Sequence, residues 1–333
     1  MPVRFGIIGC SRVAMRRFLP ALVSSPLAKL TFVGSRDKKK AKQYAEEFGA
    51  QKFGSYEDVL ASKEVDAVYI STPPLLHAEW VKKAASAGKH IICEKPSFPD
   101  YETTSGIISF CRGASVRLFE NYAFLYHPQH KAARELSSRV GQVSSIEAVF
   151  LYPNPPGGDI RWRPELGGGV FHDSFGYPIA TALHYFGELP ESVECTLTVD
   201  QLHQIDTAAK LGLSWGDGRQ AAGRIAMGEE GYSSRYILRG QDGQVEVCRA
   251  FAVDSDKPTE IAFETGDKKE IIQVKPASQF QLALEDFCKT IVGEVRRLFE
   301  DDILARAAVK EAALRSARAG KPVFLSEIGF RKK

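Results

Sequence analysis

Several short segments of this chain carry side chains whose types and spacing could act on a small molecule. Gly6-Ile7-Ile8-Gly9-Cys10-Ser11-Arg12-Val13-Ala14 sets a glycine turn between an apolar strand and a helical pattern. In such a turn Gly9 supplies the bend and Ala14 lets helix and strand pack closely. The amides over Cys10, Ser11, Arg12 and Val13 then face a pyrophosphate. Ser11 stands where the dinucleotide fingerprint has its second glycine, so a plain strand-to-helix turn competes with this reading. A second apolar run ends in Ser35-Arg36-Asp37, with Lys40 one turn on. A hydroxyl and a guanidinium suit a 2′-phosphate, which favours NADP(H), while Asp37 keeps NAD(H) possible. Two more strand ends follow, Thr72-Pro73-Pro74-Leu75-Leu76-His77 and Cys93-Glu94-Lys95-Pro96. A lysine at such a tip can donate a hydrogen bond or a proton to a carbonyl oxygen, and burial would bring it toward useful acid–base range. His77 orients the loop or serves as a satisfied structural histidine.

These segments need a scaffold that gathers them. Apolar runs at Val3–Ile8, Leu30–Gly34, Ala67–Ile70, His90–Cys93 and, more weakly, Val116–Phe119 alternate with helical patterns. The patterns cover Val13–Ser24, Lys38–Phe48, Tyr56–Ala61, Ala78–Ala87 and Tyr101–Cys111. Ser55 with Asp58 reads as a helix start, and Gly49 and Gly88 as helix ends. Alternation of this kind implies an α/β, doubly wound parallel sheet of Rossmann type, whose strand ends line a ligand crevice.

Past a linking segment at Glu120–His127 the pattern changes. A helix is expected over Pro128–Arg139, a strand over Ser145–Tyr152, a Pro/Gly-rich loop, and an apolar helix near Val170–Tyr185. From Ser192 to Val274 strand-like runs are separated only by Gly/Asp turns, which argues antiparallel pairing. Two helices, about Ser278–Val292 and Glu300–Ala319, close the chain. The expectation is a dinucleotide-binding domain over 1–121 and a second α+β domain over 122–333, built on an open, largely antiparallel sheet.

The bulk numbers narrow the classes without choosing among them. A chain of 333 residues exceeds what one core usually serves, and 44% hydrophobic with 26% charged residues is ordinary for a globular protein. A net charge of +3 with no basic block leaves no nucleic-acid footprint. No apolar run approaches the roughly 18 residues that would span a bilayer, so no membrane partner is expected. The six cysteines are scattered, with no metal-ligand spacing and no disulfide framework. No metal is expected. The first apolar run is too short for a signal-peptide core, so the expected compartment is the cytoplasm.

Taken together, Gly6–Ala14, Thr72-Pro73-Pro74 with His77, and Glu94-Lys95-Pro96 resemble the Gfo/Idh/MocA oxidoreductase family. Asn121-Tyr122, Phe124, His127-Pro128-Gln129, Gly167-Gly168-Gly169 and Asp173-Ser174-Phe175-Gly176-Tyr177-Pro178 extend the likeness to about residue 190. Within the family, Cys10–Arg17 and Arg161–Gly169 look most like NADP-dependent sugar-nucleotide 3-ketoreductases, with the trans-dihydrodiol dehydrogenases also similar. The resemblance implies that Lys95 is the general acid/base. It implies that the Asp/His pair of the glycine-rich helix motif is here Asp173 and Tyr177, four apart and on one helical face. Tyr177 can donate a phenolic proton as a histidine would, and its presence puts a polyol-dehydrogenase reading in doubt. Asp173 would contact the cofactor ribose or hold Lys95, against the plainer reading of a helix ion pair. By the same matching Tyr56, Thr72, Pro73, His77, Glu94 and Arg161 approach the cofactor, and Arg17 and Tyr232 the substrate. Arg161, Arg163, Trp162, Arg235 and Tyr236 are available as a nucleotide handle, and His172 has no role.

The resemblance thus implies reduction of a keto group on a carbohydrate-like substrate, a sugar or a sugar nucleotide. Hydride comes from the nicotinamide, and the proton from Lys95 or Tyr177. Two alternatives stand beside it: a dehydrogenase of dihydrodiols, inositols or free sugars, and a non-catalytic NADP-sensing regulator. The family likeness also implies a homodimer or homotetramer formed through the C-terminal sheet.

Overall fold

The computed structural model describes residues 1–330, and the chain divides into two compact units. The first comprises Met1–Ala123 with Phe280–Leu304, and the second Phe124–Gln279 with Ala305 onward.

Six strands build the first unit: β1 (Val3–Ile8), β2 (Ala28–Gly34), β3 (Lys52–Gly54), β4 (Ala67–Ile70), β5 (His90–Cys93) and β6 (Leu118–Glu120). They run parallel in the order β3-β2-β1-β4-β5-β6. The order reverses between β1 and β4, the switch point at which a doubly wound sheet opens a crevice beyond its strand ends. The strands are short and nearly all apolar because both faces are covered. Strand β3, whose sequence Lys-Phe-Gly carries no apolar run, escapes the sequence reading and sits at the edge of the sheet. The helix starts follow local chemistry. The Asp37 carboxylate accepts the amides of Lys39 and Lys40, and Ser55 and Asp58 form a reciprocal capping box.

Residues 280–304 depart from the expected division at residue 121, which left them in the second domain. Phe287, on the helix Gln279–Ile291, lies 6.4 Å from the Phe5 ring and 6.2 Å from that of Phe119. Phe299 meets Phe119 edge-on at 4.9 Å, and the Leu118 amide donates to Glu300 Oε1 at 3.2 Å. Aromatic packing onto β1 and β6, remote in sequence, draws the segment into the first unit.

The second unit carries β7 (Ser145–Tyr152), β8 (Ser192–Asp200), β9 (Ile205–Ser214), β10 (Gln220–Met227), β11 (Ser233–Gly240), β12 (Gly243–Val247), β13 (Thr259–Thr265), β14 (Lys268–Val274) and β15 (Val323–Phe324). They form one sheet in the order β14-β13-β12-β11-β7-β10-β9-β8-β15. Only the central pair β7–β10 is parallel; its neighbours are antiparallel. The apolar segment expected as one helix near Val170–Tyr185 is two, Val170–Asp173 and Gly176–Phe186, interrupted at Ser174-Phe175. No helix among the described residues is long and apolar enough to cross a membrane.

The fold yields a stability prediction. Phe287 is fully buried among Phe5, Phe119 and Phe299, so Phe287→Ala should cost about 3–5 kcal/mol, through lost transfer energy and the cavity left behind. Urea titration checks this: an unchanged midpoint would contradict the packing of 280–304 onto the parallel sheet.

Candidate functional site

At the carboxyl end of β1, Gly9 adopts φ +103°, where side chains with a Cβ are strained. A Cβ there would also stand 3.0–3.1 Å from the backbone of Ser71 and Thr72, so the β1 and β4 ends meet backbone to backbone. The Ser71 hydroxyl donates to the Gly9 carbonyl at 2.7 Å and secures that approach. Ser11, the departure from the glycine fingerprint, uses its side chain: its hydroxyl accepts the Ala14 amide at 3.1 Å and caps the first helix. Cys10 is buried, and burial pushes its thiol up to about 11, which leaves a neutral packing group. Arg12 is exposed and Val13 half-buried at the same turn.

At the β2 end the Ser35 hydroxyl accepts the Asp37 amide at 3.2 Å. Arg36 is exposed and reaches the Tyr56 hydroxyl, whose ring stands edge-on to Trp80 at 4.7 Å. Burial raises the Tyr56 phenol and the nearby Arg36 charge opposes it. Lys40, exposed, lies 5.9 Å over the Tyr44 ring. The Asp37 carboxylate is engaged in capping its helix, so the tip presents a cation where an NAD-type site presents an acid.

The β4 and β5 ends are stapled by His77. Its Nε2 faces the Thr72 carbonyl at 2.8 Å and its Nδ1 the Pro96 carbonyl at 3.0 Å, with the ring wholly buried. Burial lowers its pKa against the pull of those carbonyls. Both ring nitrogens are thus taken up by backbone carbonyls of the two loops. Glu94 turns inward, accepting the Tyr69 hydroxyl at 2.7 Å and the Asn121 amide at 2.6 Å. Burial raises its pKa, opposed by those two donors and by Lys95. Lys95 is half-buried at this tip, joined to Pro96 by a cis peptide bond.

The first unit therefore gathers Gly9, Ser11, Ser35, Thr72, Pro73, His77, Glu94 and Lys95 at the strand ends around the switch point. These residues fit a dinucleotide. The Gly9 turn leaves no Cβ in the way of a pyrophosphate. The buried Thr72 hydroxyl has no partner among the described residues, a polar atom available to a ligand or to water. Arg17 lies half-buried on the first helix.

In the second unit Arg161 and Asp173 come together, Nε to Oδ2 at 2.7 Å, and Arg161 Nη1 also reaches Asp159 at 3.2 Å. The Arg161 guanidinium is held above its ordinary range; burial lowers it, and the charge and hydrogen bond of Asp173, with the charge of Asp159, outweigh that. The Tyr152 hydroxyl donates to Asp173 at 3.4 Å. The break at Ser174-Phe175 corrects the expectation of one continuous helical face. Asp173 ends one short helix and turns to Arg161, while Tyr177 begins the next inside an aromatic collar. Its ring stacks on Phe251 at 4.9 Å and meets Phe150 and Phe124 edge-on at 5.2 and 5.5 Å. Tyr232, half exposed, touches the same Phe150 at 5.9 Å.

Other candidates are engaged elsewhere. Tyr236 is buried, its hydroxyl 2.8 Å from His130 Nδ1 and 2.5 Å from the Tyr185 hydroxyl. Arg235 pairs with Glu246 and Glu147 on the other face of its strand, and Arg163 with Glu165. The Trp162 indole donates to the Pro155 carbonyl, its ring against His203. The sequence reading missed the Phe251 ring, the acid pocket of Tyr69 and Asn121, and Asp206, whose carboxylate accepts the Phe171 amide at 2.5 Å. Phe251 follows β12 and Asp206 opens β9, each far in sequence from what it touches, so no local pattern marks them. His172 lies 3.5 Å from Lys310.

Fold and site together define a two-unit, dinucleotide-dependent oxidoreductase. A family model described as "Oxidoreductase family, NAD-binding Rossmann fold" matches residues 3–122, and a GFO/IDH/MocA C-terminal domain matches residues 130–246. The chain belongs to the Gfo/Idh/MocA family. It is similar to dTDP-3,4-didehydro-2,6-dideoxy-alpha-D-glucose 3-reductase of Actinomadura kijaniata, 32% identical over 95% of this chain and 96% of that protein. It is 31% identical to D-xylose 1-dehydrogenase (NADP(+)) 2 of Haloferax volcanii, over 96% and 99% of the two chains. Among solved structures, a 3-ketoreductase from A. kijaniata in complex with NADP and TDP-benzene superposes with a TM-score of 0.91 at 32% identity. That match covers 95% of this chain and 98% of the other.

A pH prediction comes from His172. Burial and the Lys310 charge depress it from 6.5 to about 3, so between those values the unfolded chain binds a proton that the folded chain refuses. Its contribution to stability is complete above about pH 6.5 and is lost progressively as pH falls toward 3. His172→Gln should flatten the pH dependence of the urea midpoint over pH 4–6.5 by about one proton. An unchanged slope would exclude a neutral buried His172.

Proposed function

We propose that this enzyme reduces the keto group of a sugar or sugar nucleotide with NADPH, Lys95 or Tyr177 supplying the proton. The observation that carries the reading is the half-buried Lys95 at the β5 tip, beside the switch point and next to a carbonyl stapled by His77. Bound at the Gly9 turn, NADPH would supply the hydride. The Lys95 ammonium donates a hydrogen bond to the substrate carbonyl oxygen, polarises it and delivers a proton as the alkoxide forms. Tyr177, its ring fixed on three sides by Phe251, Phe150 and Phe124, is the second candidate donor. The family likeness assigns Arg161 and Asp173 to the cofactor, and Tyr232 and Arg17 to the substrate. The A. kijaniata relative favours a nucleotide-linked substrate, since its structure holds TDP-benzene.

A second reading, oxidation of a free sugar with NADP⁺, is favoured by the likeness to the Haloferax xylose dehydrogenase. The six free cysteines fit a reducing compartment, the cytoplasm. The family reading carries a homodimer or homotetramer through the second unit's sheet.

Lys95→Ala should lower kcat by about 10²–10⁴-fold while leaving NADPH affinity within a few fold; equal turnover would sink its assignment. Tyr177→Phe in the same assay separates the two donors, because the principal one shows the larger loss. The assay is NADPH oxidation across free and nucleotide-linked keto sugars, repeated with NADP⁺ and aldoses. Tight NADPH binding with no turnover of any of them would favour a sensor.

Cofactor choice is tested at Arg36. Arg36→Ala should raise KM for NADPH about tenfold to a hundredfold, the worth of a charge-assisted phosphate contact, and leave KM for NADH unchanged. Parallel losses with both cofactors would place the 2′-phosphate elsewhere.

A further inference from the structure

We infer that Asp206 is a positioning residue for the Arg161–Asp173 pair, acting through the glycine turn that starts the helix Val170–Asp173. The inference rests on reading that pair as part of the cofactor site. Asp206 is the second residue of β9, and its Oδ2 accepts the Phe171 amide at 2.5 Å. The turn is shaped to admit this carboxylate. Gly169 has φ +88°, and a Cβ there would stand 2.4 Å from Asp206 Oδ1 and 3.1 Å from its Oδ2. A Cβ on Gly168 would stand 2.7 and 2.9 Å from the carbonyl oxygens of Arg161 and Arg163. The Gly168 and Gly169 amides donate to those same residues, to Arg163 at 3.0 Å and Arg161 at 2.9 Å. The glycine turn therefore lies folded against the Arg161 segment on one side and against Asp206 on the other.

From there the connection to the ion pair is short. The Asp173 amide donates to the Gly169 carbonyl at 3.2 Å, and the Asp173 carboxylate takes Arg161 Nε at 2.7 Å. A single turn of helix joins the residue Asp206 holds to the residue Arg161 holds. Lys310 grips the same turn, its ammonium 5.2 Å over the Phe171 ring and 3.5 Å from His172 Nδ1. Burial raises the Asp206 carboxyl, and the Phe171 amide is the largest opposing influence. A half-buried carboxylate with its acceptor aimed at the helix start fixes the turn more narrowly than apolar packing would.

The test uses the full chain with NADPH and the keto sugar found active. Asp206→Ala should lower kcat/KM on the order of tenfold to a hundredfold, as displacement of a positioning group does. It should also speed hydrogen exchange at the Phe171 amide. Asp206→Asn keeps one acceptor for that amide and should recover most of the loss, remaining roughly several-fold below the wild type. In an Arg161→Ala background either Asp206 variant should cost almost nothing more, because both act through one pair. Additive losses overturn the inference. Impairment by Arg161→Ala with none by either Asp206 variant overturns it alone. No effect from Arg161→Ala itself overturns the cofactor-site reading of the pair, and the inference with it. Should Asp206→Ala fail to fold, Asp206→Asn decides by the same coupling to Arg161.

Discussion

The close approach of two backbones, Gly9 at the end of β1 and Ser71-Thr72 at the end of β4, is the constraint on which the first unit's site depends. With no Cβ between them, the Ser71 hydroxyl can reach the Gly9 carbonyl and draw the two strand ends together. The Thr72 carbonyl then faces one nitrogen of His77, whose other nitrogen faces the Pro96 carbonyl beyond Lys95. A run of buried polar contacts thus passes from the Gly9 turn to the Pro96 carbonyl, next to Lys95 in sequence. Each member is buried, so a lost partner would leave a desolvated group costing about 1–3 kcal/mol. That penalty holds the loops to one geometry.

Glu94 illustrates how one strand end sends adjacent side chains into different surroundings. Its carboxylate faces inward to Tyr69 and Asn121, while its neighbour Lys95 is half-buried at the tip. Alternation along an extended segment sends adjacent side chains to opposite sides, so one dipeptide serves both the interior and the crevice. The second unit applies a different device. Arg161 is neutralised by Asp173 and Asp159, and the Tyr177 ring is set among those of Phe251, Phe150 and Phe124. Aromatic contacts of this kind fix the plane of the phenol.

Much of the architecture was legible from local pattern. The βαβ alternation, the capping box at Ser55, the Asp37 helix start and the open sheet with Gly/Asp turns follow from side-chain period and capping chemistry, which act within a few residues. Strand β3 was not legible because an edge strand needs no apolar run. The segment 280–304 was misplaced because its partners, Phe5 and Phe119, are remote in sequence. The single helix expected near Val170–Tyr185 failed for the opposite reason: the apolar pattern continues across Ser174-Phe175 while the backbone breaks there.

The sequence by itself determined the order of elements, the Gly9 turn, and which polar side chains stand at strand ends. These are set by covalent neighbours, whose reach is one turn of helix or one pleat of strand. Only the tertiary structure decided what each side chain is spent on: Asp37 on a helix cap, His77 on two carbonyls, Glu94 on a buried pocket, Asp173 on Arg161. It alone brought Asp206 to the Phe171 amide, 35 residues away along the chain. Those choices depend on which groups lose water together, and burial is a property of the folded chain that no local spacing encodes.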